Sequence, residues 1–213
     1  MKRYITTSLI AAVLAFSVTS CSTGEKQATP TDGCREVLGT AGLKWAQEEA
    51  RTDGVERGGV TMAELRRQYY RQMNPWNPNS QRWESEVCTI TSTEVGDGKK
   101  LTIEFGPSST PFDFDQQQKT PDGTVTPVNA DVKLQQVKDF KNVTRYGIYV
   151  KCKVSGTSPR QEIITPLGGV LTDTLTGGTS DAERVRHLLR ATQAVVELLD
   201  CENNPSVPAT PPA

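Results

Sequence analysis

Residues 146–154 read YGIYVKCKV, and this stretch decides the fold class. Ile148, Val150, Cys152 and Val154 alternate with Tyr149, Lys151 and Lys153. A period of two puts the first set on one face of a strand and the second on the other. Such a strand is half-buried, which is the pattern of an antiparallel sheet with one face on a core. A second alternation follows a Gly96-Asp97-Gly98 turn signal: Leu101, Ile103 and Phe105 against Lys100, Thr102 and Glu104. Residues 87–95, with Cys88 and Ile90 on one face, form the other arm of that hairpin.

Helical periodicity brackets these strands. Residues 181–200 carry a stripe of Val185, Leu188, Leu189, Thr192, Val195, Val196 and Leu199, opened by a Ser180/Glu183 capping box. Residues 61–73 repeat the scheme, with Thr61 and Glu64 as the box and Met62, Leu65, Tyr69 and Met73 as the stripe; Asn74-Pro75 ends it. Val37 and Leu38 suit a short helix closed by Gly39, and Leu43 to Ala50 reads as a second helix or a short extended piece. Residues 51–60 read as a loop and residues 106–130 as a long exposed excursion. The stretch around Lys133 and Gln135 fits either a strand or a short helix. Ile163 and Ile164 suit a short strand, and Gly168-Gly169 and Gly177-Gly178 read as turns. The predicted class is α+β: an antiparallel sheet with flanking helices and a long amphipathic C-terminal helix packed on it.

The first 20 residues have a different character. Lys2 and Arg3 precede an apolar run, LIAAVLAF at residues 9–16, too short to span a bilayer as a mature helix. Val18-Thr19-Ser20-Cys21 follows: an aliphatic residue, two small ones and a cysteine. This stretch resembles the lipobox of bacterial lipoproteins. The resemblance implies cleavage before Cys21, a thioether-linked diacylglycerol on it, and lipid anchoring at the outer face of a cell membrane. Two acyl chains make such an anchor stable, whereas one binds marginally. Residues 21–32 then form a polar tether, residues 33–203 a single domain, and residues 204–213, with four prolines, a disordered tail. In order of pieces and placement of cysteines the chain also resembles small actinobacterial lipoproteins, including those similar to the extracellular sensor domains of membrane kinases; that layout implies no activity.

Five cysteines are present. Giving Cys21 to lipid leaves Cys34, Cys88, Cys152 and Cys201, an even set in an oxidising compartment, where disulfides persist. Helix-to-sheet bridging gives Cys34–Cys88 and Cys152–Cys201; strand-to-strand and end-to-end bridging gives Cys88–Cys152 and Cys34–Cys201. The first is favoured, because bridges between adjacent strands are geometrically demanding.

Without residues 1–20 the chain has 22 basic and 25 acidic residues, a net of −3. That balance offers no basic face for nucleic acid. A metal site is not expected, because there is no Cys-x-x-Cys pair and His187 is the only histidine. No phosphate loop or Gly-x-Ser-x-Gly elbow is present, so neither a cofactor nor a serine hydrolase is expected. His187 reads as a partly exposed helix residue. Asp113 and Asp115 could share one side of an extended segment, but calcium needs six to eight oxygens; the alternative is a solvated loop that tucks in Phe112 or Phe114. Asn142-Val143-Thr144 matches a glycosylation sequon by coincidence. Tyr70, Trp76 and Trp83, around an Asn/Pro-rich connection, form a candidate binding surface, against the alternative that they cover the core edge. The expectation is therefore a lipid-anchored, non-enzymatic module that binds an envelope ligand or protein. The alternatives are a glycan-active hydrolase using carboxylates such as Glu84, Glu86, Asp113 or Asp115, and a structural envelope component.

Overall fold

The computed structural model describes residues 32–50, 52, 54–74, 77, 81–94, 98–114, 123–138 and 143–212. The expected signal peptide, Cys21, Trp76, Asp115, Asn142 and all of the expected tether but Asp32 lie outside them. The elements in order are α1 (Gly33–Glu49), β1 (Val55–Gly58), α2 (Met62–Met73), β2 (Ser85–Ser92), β3 (Lys100–Pro107), β4 (Gly123–Pro127), β5 (Val132–Lys138), β6 (Thr144–Val150), α3 (Gln161–Ile164), β7 (Leu167–Asp173) and α4 (Asp181–Leu199).

The class is α+β. One antiparallel sheet runs in the order β1-β2-β3-β7-β6-β5-β4. β1 to β3 and β4 to β6 are two meanders, and β7 fills the gap between them. The alternation read from the sequence is seen in the burial. Leu101, Ile103, Phe105, Ile148 and Val150 are sealed, while Glu104, Gly147 and Tyr149 are partly exposed. α1 packs on β2, α2 on β2 and β3, and α4 on β6 and β7. The helices also touch one another, so they form one layer over the sealed face.

Both N-caps are in place, Glu64 N–H donating to Thr61 Oγ1 and Glu183 N–H to Ser180 Oγ, each at 3.2 Å; the return half of the expected boxes is not, since the Glu64 carboxylate turns to Arg67 and Gln68 and that of Glu183 to Arg186. α1 is two helical pieces across a kink at Gly39, whose φ of 66° belongs to the left-handed region. Arg190 Nε of α4 donates to the Leu38 carbonyl there, at 3.1 Å, capping the first piece. Two disulfides staple the helices to the sheet, Cys34–Cys88 and Cys152–Cys201. Loops of 54 and 49 residues are closed, each worth about 4 kcal/mol in the chain-entropy account.

Several expectations are corrected. Residues 55–58 are an edge strand rather than loop, because their backbone completes pairing with β2. Residues 123–127, expected inside an exposed excursion, pair with β5. The stretch around Lys133 and Gln135 is a strand. Ile163 and Ile164 close the short helix α3, and Gly168-Gly169 lies inside the central strand β7. Gly169 stands directly opposite Phe105, and a Cβ there would overlap the Phe105 ring and come within 3.0 Å of Ile148. The glycine is thus a seat for the aromatic ring. The C-terminal segment lies against the domain as far as Val207: Pro205 is buried, Val207 packs on the core, and Gln193 Nε2 donates to the Val207 carbonyl at 3.0 Å.

Gly169→Ala is expected to cost about 1–3 kcal/mol in urea unfolding, since Phe105 is fully buried and has no free direction to move. Gly147→Ala, whose added Cβ meets its nearest neighbour at 3.5 Å, should stay within about 1 kcal/mol of wild type. Equal costs at the two sites would refute the seat.

Candidate functional site

His187 is buried, not partly exposed. α1 lies over α4, and Trp45 stacks on the imidazole with ring centroids 4.0 Å apart. Its Nε2 is 3.4 Å from Glu183 Oε1, without hydrogen-bond geometry. Burial holds its pKa below the ordinary value; Glu183 opposes that shift, while Arg186 and Arg190 add to it. His187 is a core residue between two helices.

The Asp113 loop is settled by its aromatic neighbours. Phe112 is buried, Asp113 is exposed, and Asp115 lies outside the described residues. Lys133 Nζ donates to the Phe112 carbonyl at 2.6 Å and stands 4.9 and 4.8 Å from the Phe112 and Phe114 ring centres. Lys151 also faces the Phe112 ring, at 4.7 Å. The cations here belong to the protein. Among the described residues, no group of three His, Cys, Asp or Glu could hold a metal ion.

The three aromatic candidates do not share one role. Tyr70 donates its hydroxyl to the Leu199 carbonyl at 2.9 Å, tying α2 to the end of α4. That is a packing role. Trp83 is different. Gln72 of α2 clamps its backbone from both sides, accepting from Trp83 N–H at 2.9 Å and donating to its carbonyl at 3.0 Å. The side chain nevertheless stays 53% exposed. Trp76 lies outside the described residues.

A solvent-open cleft of about 540 Å³ adjoins the chain on either side of Trp83, which does not itself line it. Arg82 and Glu84 form one wall, Ser108 to Thr110 another, and Tyr149 and Gly168 belong to the floor. The residues flanking Trp83 therefore face the cleft. Tyr149 donates to Gln135 Oε1 at 2.8 Å. Deeper on the same sheet face Glu104 lies directly opposite Glu86, a like-charge pair that by itself destabilises a sheet. Burial, then Glu84, pushes the Glu104 carboxyl up from its ordinary value; Arg145 pulls it down and Glu86 adds to the rise. Sequence reading found Glu84 and Glu86 but missed Glu104, Arg82 and Tyr149. The alternation of residues 100–105 places Glu104 on the open face, but only β2–β3 register brings it to Glu86. The arrangement can bind a polar group and present an aromatic anchor beside it. No protein family, no curated protein and no solved structure matches this chain.

The His187 environment gives a pH dependence. With its folded pKa lowered, the folded chain binds fewer protons than the unfolded one as pH falls below about 6.5. This contribution to stability is intact above that pH and is lost as pH falls toward the lowered folded value. Wild-type Tm should drop by a few degrees between pH 7.5 and 5.5, and His187→Gln should flatten that drop. An unchanged slope in the variant would remove His187 from the cause.

Proposed function

We propose that the chain is an exported lipoprotein, cleaved before Cys21, acylated there and held at the outer face of a cell membrane. Its domain serves as a non-enzymatic binding module for an envelope ligand or protein. The Val18-Thr19-Ser20-Cys21 sequence supports the anchor. The cysteine pairing supports it independently: every cysteine except Cys21 is in a bridge, as suits an oxidising compartment. Asp32, where the tether meets the domain, accepts from Cys34 N–H at 3.1 Å and pairs with Arg57, which fixes the point of attachment beside β1. Among the described residues no helix is long and apolar enough to cross a membrane.

The observation that carries the binding reading is Trp83. Its backbone is pinned, so little conformational entropy remains to be lost on binding. Its indole is out in water, where a large apolar ring gains nothing. A partner that covers it gains area at low cost and meets Arg82 and Glu84 at the adjoining cleft. Interface anchors of this kind are enriched in Trp and Arg.

A second reading, a glycan-active hydrolase, rests on Glu104. A half-buried carboxyl whose pKa is pushed up by burial and by the neighbouring Glu84 has the character of a general acid. Release of reducing ends from cell-wall glycan by wild type, abolished in Glu104→Gln, is the outcome that would favour it over binding alone.

Two outcomes test the main reading separately. Cys21→Ala should move the full chain from the membrane pellet to the soluble fraction or medium; retention in the pellet would overturn the anchor. Trp83→Ala should weaken capture of the partner from solubilised membranes by about 30-fold, the equivalent of about 2 kcal/mol at an interface anchor. Ile164→Ala, at another exposed apolar residue, should leave capture unchanged. Equal capture by both variants would overturn the role of Trp83.

A further inference from the structure

The sheet ends on β1 at one side and on β4 at the other, and the two edges are built differently. A sheet edge presents a row of unpaired N–H and C=O groups, which folds blunt by shortness or by charge. In β1 the outward groups belong to Val55 and Arg57, since Thr93 N–H donates to the Gly54 carbonyl and alternate residues serve β2. Matching those groups between two β1 strands sets Glu56 against Glu56, a repelling pair. β4, Gly123-Thr124-Val125-Thr126-Pro127, carries no charge and is half-exposed to exposed along its length.

Which groups β4 turns outward follows from the ladder. In an antiparallel pair, alternate residues exchange bonds with the neighbour and the rest point away. Val128 N–H donates to the Val132 carbonyl at 2.9 Å, in register with the pairs from Gly123↔Val137 to Pro127↔Lys133. Thr124 and Thr126 are therefore bonded to β5, and Gly123, Val125 and Pro127 face outward. β5 agrees. Lys151 N–H donates to the Asp131 carbonyl at 3.0 Å, which assigns Lys133, Gln135 and Val137 to β6 and leaves Leu134 and Gln136 for β4. Pro127 agrees too, because a proline is tolerated in a sheet where its missing N–H would have met solvent. Among the described residues, nothing bonds to the outward groups of Gly123, Val125 or Pro127.

We infer that β4 is a self-association edge, at which a second copy of this chain adds its own β4, antiparallel, about a twofold axis at Val125. The outward positions lie symmetrically about that residue. The two Val125 residues exchange a pair of hydrogen bonds, and each Gly123 N–H donates to the second copy's Pro127 carbonyl. The missing proline N–H falls at the ends of the ladder, where it leaves only the Gly123 carbonyl to water. Thr124 comes opposite the second copy's Thr126, a favourable cross-strand pair, and β4 has no charge to repel its copy. The same patch serves both copies, as a closed twofold dimer requires. The sheet then runs on through both copies, with the helix layers on one side. A seam of about 17 Å is short, so the dimer belongs to the transient class. The contact is independent of the anchor and of Trp83.

The test is sedimentation equilibrium of the full chain carrying Cys21→Ala, so that no lipid contributes. It should give a monomer–dimer midpoint on the order of 100 μM, as a small transient contact does. Val125→Pro removes the central N–H without touching a bond to β5, and should weaken association at least ~10-fold. Val125→Lys should weaken it about 5-fold by setting like charges together, and an equimolar mixture with Val125→Glu should return to within about 3-fold of the parent midpoint. Circular dichroism should show the Lys and Glu variants folded, because Val125 is half-exposed. A parent chain still monomeric at about 1 mM would overturn the inference. So would association that survives Val125→Lys and gains nothing from mixing, since it would run through another surface. Amide exchange locates the seam: the Val125 N–H should become protected as concentration rises, and exchange there that ignores concentration would overturn pairing at this edge.

Discussion

The ring of Phe105 lies across Gly169, and the sheet depends on that contact. β7 arrives last among the strands and must enter between β3 and β6, so that β3, β7 and β6 become adjacent over their sealed faces. With a side chain at 169, the Phe105 ring would have no place to lie. With the glycine, one aromatic side chain fills the volume of two positions. The two meanders are then joined into one seven-stranded layer. A neighbouring glycine, Gly168, sits on the other face of the same strand and keeps the cleft floor low. One Gly-Gly pair therefore serves the core on one side and the open surface on the other.

Once β7 is in place, a buried ion pair directs the chain out of it. Asp173, at the end of β7, has a fully sealed side chain that accepts Arg184 Nε at 2.7 Å and the N–H groups of Leu175 and Thr176 at 2.9 Å. Arg184 spends its other nitrogens on the carbonyls of Thr179 and Thr176, at 2.6 and 2.7 Å. Every lone pair and proton of such a pair must be satisfied for burial to be tolerable. Here that saturation ties the β7–α4 loop to the first turn of α4. α4 then has only one way to lie across β6 and β7, and Cys201 at its end comes to Cys152. The disulfides secure positions that packing and hydrogen bonding have already chosen.

The strongest periodic segments were legible in the sequence, and the weak ones were not, for physical reasons. The stripe of α4, the N-caps at Thr61 and Ser180, and the alternation of residues 100–105 and 146–150 are local patterns, each set by the period of its own element; the strand expected to run to residue 154 stops at Val150. β1 and β4 lie at the sheet edges; they have little apolar surface to bury, so nothing in Val55–Gly58 or Gly123–Pro127 advertises a strand. β7 was hidden by its glycines, which normally signal turns and here answer to a ring 64 residues earlier. His187 looked exposed because its cover, Trp45, comes from a helix interrupted by Gly39. The candidate surface divides in the same way. Trp83 was visible as an aromatic on a connection, but its exposure follows from a clamp by Gln72 that no spacing rule reveals. Glu104 needed a register to meet Glu86.

The polar groups are disposed differently on the two sides of the sheet. Inside the helix layer, His187, Gln161 and Asp173 are spent on packing and on hydrogen bonds within the chain; Gln161 alone holds the Val154 N–H and the Cys152 and Thr165 carbonyls. On the open side, by contrast, the protein keeps a like-charge pair and a glycine floor, and the connection into β2 carries a clamped but uncovered indole. Each of these costs stability in the isolated domain. A domain already stapled twice can carry such costs, because the disulfides raise the free energy of the unfolded chain without using any surface. The bridges thereby free one face of a small sheet from the work of holding the fold together.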